Sequence, residues 1–400
     1  MVSVWCELLT KVLEYIRRTA SLRHLTPHPR PRPSDNRYVC SPENHIVPSN
    51  IGGTLRYPLH SRPFLETPLK FAVIGCGHIG KRHLAVLAAE PTARLVALCD
   101  TDPAVRAKFS AEYPAATPYA DYERLLKESD ADFVSICTPH GHHSIMSIRA
   151  AQAGKHVLVE KPMALTSLES QRMIAAARAA GTKLYVVKQN RYNHPIRAVK
   201  AALDAGQLGR PLMVQCNVIW NRRNAYYEQS DWRGNRLLEG GALQTQVSHF
   251  IDLMVWWFGD LIRAKTIMDT LNHDIEIEDC GAAALRFDSG VVGSLLWTTC
   301  AYRQNFEGSL TLICEKGLVK IGGKYLNEIE HWDVEGVPAP APATETELPN
   351  NYGTYQGSSS NHDKLISALI EQFLAGRQGV VEGEEGLRTI RAIETIYGAA

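Results

Sequence analysis

One stretch limits what this chain can fold into more than any other: residues 69–83, LKFAVIGCGHIGKRH. An apolar run from Leu69 to Ile74 reads as a buried strand. Glycines follow at Gly75, Gly77 and Gly80, and helical spacing sets in at once with Ile79, His83, Leu84 and Leu87. Each glycine has a physical reason in such a unit. Gly75 permits the tight turn out of the strand. Gly77 lets backbone approach a pyrophosphate. Gly80 lets the helix pack close to the strand, with phosphates over the helix N-terminus and His78 and Ile79 in the turn itself. A second apolar run, Leu95–Cys99, ends in Asp100, 20 residues past Gly80. That is where an acid would hold the hydroxyls of a ribose. These neighbours turn a weak glycine pattern into a dinucleotide-binding unit.

A chain of 400 residues has room for two domains, and 45% hydrophobic content suffices for full cores. The formal net charge of +1 gives no electrostatic basis for binding nucleic acid or an anionic membrane. No apolar run approaches the length of a membrane span. Nine cysteines stand singly, none in a CxxC pair, and Cys76, Cys99, Cys137 and Cys314 fall inside apolar runs. Reduced, buried thiols in a cytoplasmic protein are the expectation.

Residues 1–67 do not resemble the rest. Val4–Ile16 places Leu8, Leu9, Val12 and Ile16 on one helical face, but Pro27–Pro33 (PHPRPRP) suits no regular element. A secretory signal fits badly, because no long apolar region precedes a small-residue cleavage site. The expectation is a disordered extension, or upstream sequence read from a misplaced start codon.

From residue 68 strand and helix alternate. Strands are expected at 70–75, 94–99, 133–137, 156–160 and 184–188, and helices at 78–89, 103–113, 121–128, 141–153 and 166–180. Continuous apolar strands between amphipathic helices predict an α/β Rossmann domain over 68–190, its parallel sheet covered on both faces. The carboxyl ends of such strands face the ligand crevice. Thr138 and Pro139 close one strand, and His140, His142 and His143 follow. No Cys, Asp or Glu stands beside them at ligand spacing. A helix-start loop with Thr138, Pro139, His140 and His143 near the cofactor is therefore preferred to a metal site. Glu160-Lys161-Pro162 closes the next strand. A lysine there, beside a cationic nicotinamide, has its charged form disfavoured. It can then accept a proton or orient a hydroxyl under oxidation. The plainer alternative is a surface ion pair with Glu160.

Together these residues resemble the glucose-fructose oxidoreductase / inositol dehydrogenase / rhizopine catabolism family, over about residues 69–400. The resemblance rests on Gly75-Cys76-Gly77-His78-Ile79-Gly80 with His83, on Thr138-Pro139 and on Glu160-Lys161-Pro162. It implies NAD(P)-dependent oxidation of a sugar or polyol carbon, with Lys161 catalytic and Glu160, Lys161 and Gln189 beside the cofactor. Asp100 favours NAD, since its charge repels a 2′-phosphate and no arginine stands beside it.

After Gln189-Asn190-Arg191-Tyr192 a helix is expected at Pro195–Ala205. Strands follow at 212–220, 262–271, 280–287, 291–300, 307–315 and 317–321. This predicts an α+β second domain over 191–360 with a mostly antiparallel open sheet, which the resemblance implies supports homo-oligomers, dimers or tetramers. A helix at Ala242–Phe258, after Gly240-Gly241, is expected to carry Thr245 and His249 on one face. The resemblance puts His249 against the substrate as a catalytic residue. It also implies an aspartate where this chain has Thr245. A threonine cannot hold a histidine as an imidazolium the way a carboxylate does, so Lys161 and His249 are left to move protons without that pair.

Further segments are similar to bacterial UDP-N-acetylglucosaminuronate 3-dehydrogenases of that family. They are VVKQNRYN (186–193), Trp220-Asn221-Arg222, Tyr226-Tyr227, Trp232-Arg233-Gly234, TQVSHFID (245–252) and YGTYQGSSSNHDK (352–364). The similarity implies oxidation of the C3 hydroxyl of UDP-N-acetylglucosaminuronic acid for lipopolysaccharide sugars. It also implies a downstream aminotransferase and a 2-oxo acid such as 2-oxoglutarate that recycles NADH. Arg191, Tyr192, Asn193, Asn221, Arg222, Trp232, Arg233, Thr245 and His249 are the candidate substrate residues. Arginine forks suit carboxylate or pyrophosphate oxygens, and aromatic rings stack on a uracil or a sugar. The rival functions are dehydrogenation of a free sugar or inositol, and a non-catalytic NAD-binding regulator. The 352–360 stretch is Gly/Ser-rich and suited to folding over a ligand, and PAPAPA (338–343) reads as an extended linker. Over 361–400, helices at 362–374 and 384–398 are expected to pack back on the Rossmann domain.

Overall fold

A computed structural model describes residues 68–342, 349–351 and 356–398. The extension expected at 1–67, the last residue of PAPAPA and the 352–355 part of the Gly/Ser-rich stretch lie outside the described residues. The alternating pattern from Leu69 onward yields β1 (Leu69–Ile74), α1 (His78–Ala89), β2 (Ala93–Cys99), α2 (Pro103–Glu112) and β3 (Thr117–Tyr119). It continues with α3 (Tyr122–Glu128), β4 (Phe133–Ile136), α4 (His143–Gln152), β5 (His156–Val159), α5 (Ser167–Ala180) and β6 (Leu184–Val186). These strands lie in the order β6-β5-β4-β1-β2-β3, all parallel. The order reverses between β1 and β4, which opens a crevice beyond their carboxyl ends. β3 was not expected from sequence; three residues with Pro118 at the centre show no period.

Caps explain where several helices begin. Asp102 accepts from the amides of Ala104 and Val105, and Thr166 with Glu169 forms a reciprocal capping box. α1 differs: Gly77 stands at its N-cap and no side chain takes its first amides. Those donors are left for a ligand.

The second sheet follows α6 (His194–Asp204), β7 (Pro211–Ile219), α7 (Asn224–Tyr227), α8 (Ala242–Thr245) and α9 (Ser248–Phe258). Its other strands are β8 (Leu261–Asp269), β9 (Cys280–Phe287), β10 (Val292–Thr298), β11 (Glu307–Cys314), β12 (Gly317–Gly322) and β13 (Glu328–Val334). The order is β13-β12-β11-β7-β10-β9-β8. Only β7 and β10 pair in parallel; the other neighbours are antiparallel. One face buries Val214, Val218, Leu295, Trp297 and Leu312 against Phe250, Leu253 and Met254 of α9. The opposite face exposes Met213, Leu296, Ile313, Leu318 and, at 83%, Ile267.

The single helix expected at 242–258 is broken into α8 and α9. The amide of Val247 reaches back five residues to the carbonyl of Ala242 at 3.0 Å, widening the turn between Thr245 and His249. After the short pair β14 (Pro349–Asn351) and β15 (Gln356–Ser359), the chain returns to the first sheet. α10 (His362–Ala375) buries Leu365, Ile366 and Leu369 beside Phe71, Val73 and Tyr185. β16 (Val381–Glu382) adds antiparallel to β6, and α11 (Gly383–Tyr397) places Ile390 in the first sheet's core and Ile393 and Ile396 in the second's.

Candidate active site

A cleft of about 970 Å³ lies at the carboxyl ends of β1, β4 and β5. Of the residues singled out from sequence, Gly75, Gly77, His78, Ile79, Asp100, Thr138, Pro139, His140, Glu160, Lys161 and Gln189 line it. So do Arg222, Trp232, Arg233, Thr245 and His249. Gly75 has φ of +86°, and a Cβ there would sit 2.9 Å from the Cys137 carbonyl. A Cβ on Gly80 would sit 1.8 Å from the Gly75 oxygen, so α1 meets β1 at backbone contact. A Cβ on Gly77 would meet nothing within 4 Å, because that glycine faces the open cleft. The Asp100 carboxylate is aimed by two backbone amides, Cys76 at 2.8 Å and Asp102 at 2.9 Å. Arg106, which the sequence did not place near Asp100, reaches back along α2; its guanidinium donates to the Asp100 and Thr101 carbonyls at 2.8 Å. Gln189 Oε1 and Thr245 Oγ1 are buried at the cleft wall without a hydrogen-bond partner. An uncapped helix start, a glycine open to the cleft and unpartnered polar atoms fit a bound dinucleotide and substrate.

Lys161 stands at the floor. Its Nζ donates to the Thr245 carbonyl at 2.7 Å. Burial and the nearby cations Lys188 and Arg222 push its amine down to about 8, against the pull of Glu160 and Glu239. His249 is buried, with Nε2 at 3.3 Å from Ser358 Oγ and 3.4 Å from Gln189 Nε2. Burial, then Lys161 and Lys188, hold its imidazole well below the usual histidine range, so His249 is neutral. Ser358, Gln246 and Tyr226 also line the cleft. Ser358 could not be picked out individually, since every residue of a Gly/Ser run looks alike from sequence.

Beneath Lys161, Glu160 is not the partner of a surface ion pair. Its Oε1 meets His83 Nε2 at 3.0 Å and His362 Nε2 at 3.2 Å, and its Oε2 accepts the Lys161 amide at 3.0 Å. Burial alone would raise this carboxyl, but the two histidines hold it well below the usual range. Burial likewise opposes a charge on His83, yet Cys137 and Glu160 outweigh it and push the imidazole up to about 10. Ser135 Oγ lies 2.6 Å from His83 Nδ1. Glu160 thus fixes the backbone at Lys161 from segments remote in sequence.

Several expected positions fall elsewhere. Arg191 does not line the cleft. It forks onto Asp252, Nε to Oδ2 at 2.7 Å and Nη2 to Oδ1 at 3.0 Å, and also meets Glu385 at 2.5 Å. Its charge is spent inside the protein. The Tyr192 hydroxyl donates to the Gly379 carbonyl, and Asn193 is fully buried, donating to the Tyr325 and Leu326 carbonyls. Asn221 donates to the Ala301 carbonyl. Gly80 and His143 lie behind the cleft wall. The ring nitrogens of His143 face the carbonyls of Pro162 at 2.8 Å and Thr138 at 2.9 Å, so it joins the two strand-end loops. Of the histidines after Pro139, His140 and His143 lie with ring centroids 5.5 Å apart; His140 Nδ1 meets the Glu239 carbonyl at 2.8 Å, while His142 is exposed.

Comparison with known proteins agrees with this architecture. Residues 69–188 match the oxidoreductase family with NAD-binding Rossmann fold, and residues 196–320 match the GFO/IDH/MocA C-terminal domain. The WlbA dehydrogenase of Bordetella pertussis, solved with NADH and UDP-GlcNAcA, is 36% identical. The match covers 83% of this chain and 96% of that one, with a TM-score of 0.75. The WlbA dehydrogenase of Chromobacterium violaceum, solved with the same two ligands, is 35% identical over 86% of this chain and 96% of that one, with a TM-score of 0.76. Among curated relatives, a 1-carboxy-3-chloro-3,4-dihydroxycyclohexa-1,5-diene dehydrogenase of Comamonas testosteroni is 31% identical over 60% of either chain. An inositol 2-dehydrogenase of Burkholderia multivorans is 30% identical over 63% of this chain and 74% of its own length. No described helix is long and apolar enough to cross a membrane. The chain belongs to the GFO/IDH/MocA oxidoreductase family and is an NAD-dependent sugar oxidoreductase.

Proposed function

We propose that the protein oxidises the C3 hydroxyl of UDP-N-acetylglucosaminuronic acid, or a close uronic acid relative, to the 3-keto sugar. The observation that carries this reading is the likeness, at 35–36% identity along nearly the whole of each neighbour, to two dehydrogenases solved with NADH and UDP-GlcNAcA. The cleft has chemistry to match. Arg222 and Arg233 offer guanidinium groups for carboxylate or pyrophosphate oxygens, and Trp232 offers an aromatic face.

Gly77, the first amides of α1 and Asp100 would hold NAD, which supplies the hydride acceptor. Lys161 accepts the hydroxyl proton as a neutral amine, which a proton affinity near 8 makes available close to neutrality. His249, kept neutral, orients the same hydroxyl together with Gln189 and Ser358. Thr245 adds no charge, so the proton passes to Lys161 without an aspartate–imidazolium pair. A 2-oxo acid that reoxidises bound NADH, a later aminotransferase step and self-association through the second sheet belong to the same proposal.

The inositol 2-dehydrogenases among the relatives favour a second reading, oxidation of a free polyol. Nicotinamide reduction with UDP-N-acetylglucosaminuronic acid, with and without 2-oxoglutarate, decides between them beside a Lys161→Ala control. A 3-keto product that vanishes in the control is expected. Turnover of inositol or a free sugar, and none of the UDP-sugar, would keep family and cofactor but sink this substrate.

A further inference from the structure

Residues 270–279, between β8 and β9, wind around one buried side chain. The Asp279 carboxylate accepts the amides of Leu271 at 2.9 Å, Asn272 at 2.8 Å and His273 at 3.0 Å. Its Oδ2 also lies 3.0 Å from His273 Nδ1. The other ring nitrogen, Nε2, lies 2.6 Å from the Arg222 carbonyl. A carbonyl only accepts, so Nε2 carries the hydrogen of that bond. The ring is buried and packs against Tyr227, with centroids 5.0 Å apart.

Arg222 lines the cleft, and its main chain is held on both sides. Its amide donates to the Thr299 carbonyl at 2.7 Å, and its carbonyl takes His273. The Thr299 amide donates in turn to the Asp279 carbonyl at 2.8 Å, so both holds run back to Asp279. The guanidinium lies 5.3 Å from the ring centres of Trp220 and Tyr226, and its Nη1 donates to the Asn221 carbonyl at 2.7 Å and to Asn305 Oδ1 at 3.3 Å. Fixing the peptide of a long side chain fixes where its fork begins. The same loop meets the turn that carries Arg233. The Glu276 amide donates to the Gly234 carbonyl at 3.0 Å, and Glu276 Oε2 accepts the Arg236 amide at 2.9 Å.

We propose that His273 is a positioning residue of the substrate half of the cleft: by holding the Arg222 carbonyl against the Asp279 anchor, it aims the Arg222 guanidinium at an anionic group of the substrate. This rests on the reading of Arg222 as a substrate residue. His273 is not among the residues that line the cleft, so its effect passes through Arg222.

Amide side chains separate the two bonds of the ring. Glutamine can place a donor where His273 Nε2 stands, and asparagine can place one where Nδ1 stands. His273→Asn should therefore keep the Asp279 contact and lose the Arg222 contact. At saturating NAD it should raise the KM for UDP-N-acetylglucosaminuronic acid about tenfold, with kcat within about twofold. His273→Gln should recover most of that loss. In an Arg222→Ala background His273→Asn should add less than about twofold, because the group it aims is gone. A KM unchanged in His273→Asn, or raised equally in both His273 variants, overturns the proposal, and so does a full added loss on top of Arg222→Ala. Should His273→Asn not fold, His273→Phe keeps a ring against Tyr227 with neither donor and carries the same test. A KM left unchanged by Arg222→Ala overturns the proposal too, but places the fault in the reading of Arg222. No turnover of the UDP-sugar by wild type would sink the function proposed above by itself. Deuterium uptake at the Arg222 amide, read without substrate, then still decides whether His273 holds that segment. It should be about tenfold faster in His273→Asn than in wild type or His273→Gln, and equal uptake in all three overturns the proposal.

Discussion

At the scale of single residues, the proposed chemistry turns on the proton held by Lys161. The amine must be neutral to take the hydroxyl proton, and its proton affinity is lowered to about 8, so oxidation should rise with pH through that value. The acid limb of kcat/KM measures it, and a profile flat from about pH 6 to pH 9 would remove Lys161 as the base. Lys161→Met should lower kcat by at least about a hundredfold with NADH affinity little changed. The place of Lys161 in the cleft was legible because its signal is local: a charged residue closing an apolar strand. Arg191 was misread because a lone arginine looks the same whether it meets a substrate or an internal acid. Its partners Asp252 and Glu385 stand 61 and 194 residues away. Arg191→Ala should leave Asp252 with Lys188, 3.3 Å away, as its one remaining cation and Glu385 without its partner, and cost roughly 1–3 kcal/mol of stability, with the KM of the folded fraction unchanged. Urea unfolding beside steady-state kinetics separates the two effects. A large KM change at intact stability would restore Arg191 to the substrate.

At the scale of elements, the glycine turn makes two neighbouring residues answer to different forces. Gly77 faces open cleft, whereas a Cβ at Gly80 would overlap the Gly75 oxygen at 1.8 Å. Gly77→Ala should therefore hold its unfolding free energy within about 0.5 kcal/mol while weakening NADH about tenfold or more. Gly80→Ala should lose roughly 1–3 kcal/mol of stability as α1 shifts off β1. Thermal melts with and without NADH distinguish them, and equal behaviour would contradict the packing described. Most elements could be read in advance because their periods are strong and their glycines and caps mark the ends. β13 could not, because EIEHWDV is only partly buried and polar at most positions. The break between α8 and α9 left no trace either. Nothing in GALQTQVSHF interrupts helical spacing, and the wide turn shows only in the bond from the Val247 amide to the Ala242 carbonyl.

At the scale of the whole molecule, the second sheet presents one apolar face to α9 and another to solvent. Ile267 at 83% and Met213 at 48% exposure lie on that outer face with Leu296 and Ile313. Self-association through this face, as proposed above, would cover it. Ile267→Lys with Met213→Lys should lower the mass seen by light scattering, and an unchanged mass would place any self-association elsewhere. The return of β16 to the edge of the first sheet has a consequence for how the protein is made. Val381 pairs with Val186, a separation of 195 residues, and α10 and α11 cover the same sheet. On a ribosome the nucleotide-binding half therefore emerges early with an open edge and an uncovered apolar face. At 5–20 residues per second it waits roughly 10 to 40 seconds for the segment that seals it. Until then it must be shielded by chaperones or by its own unfinished partner domain.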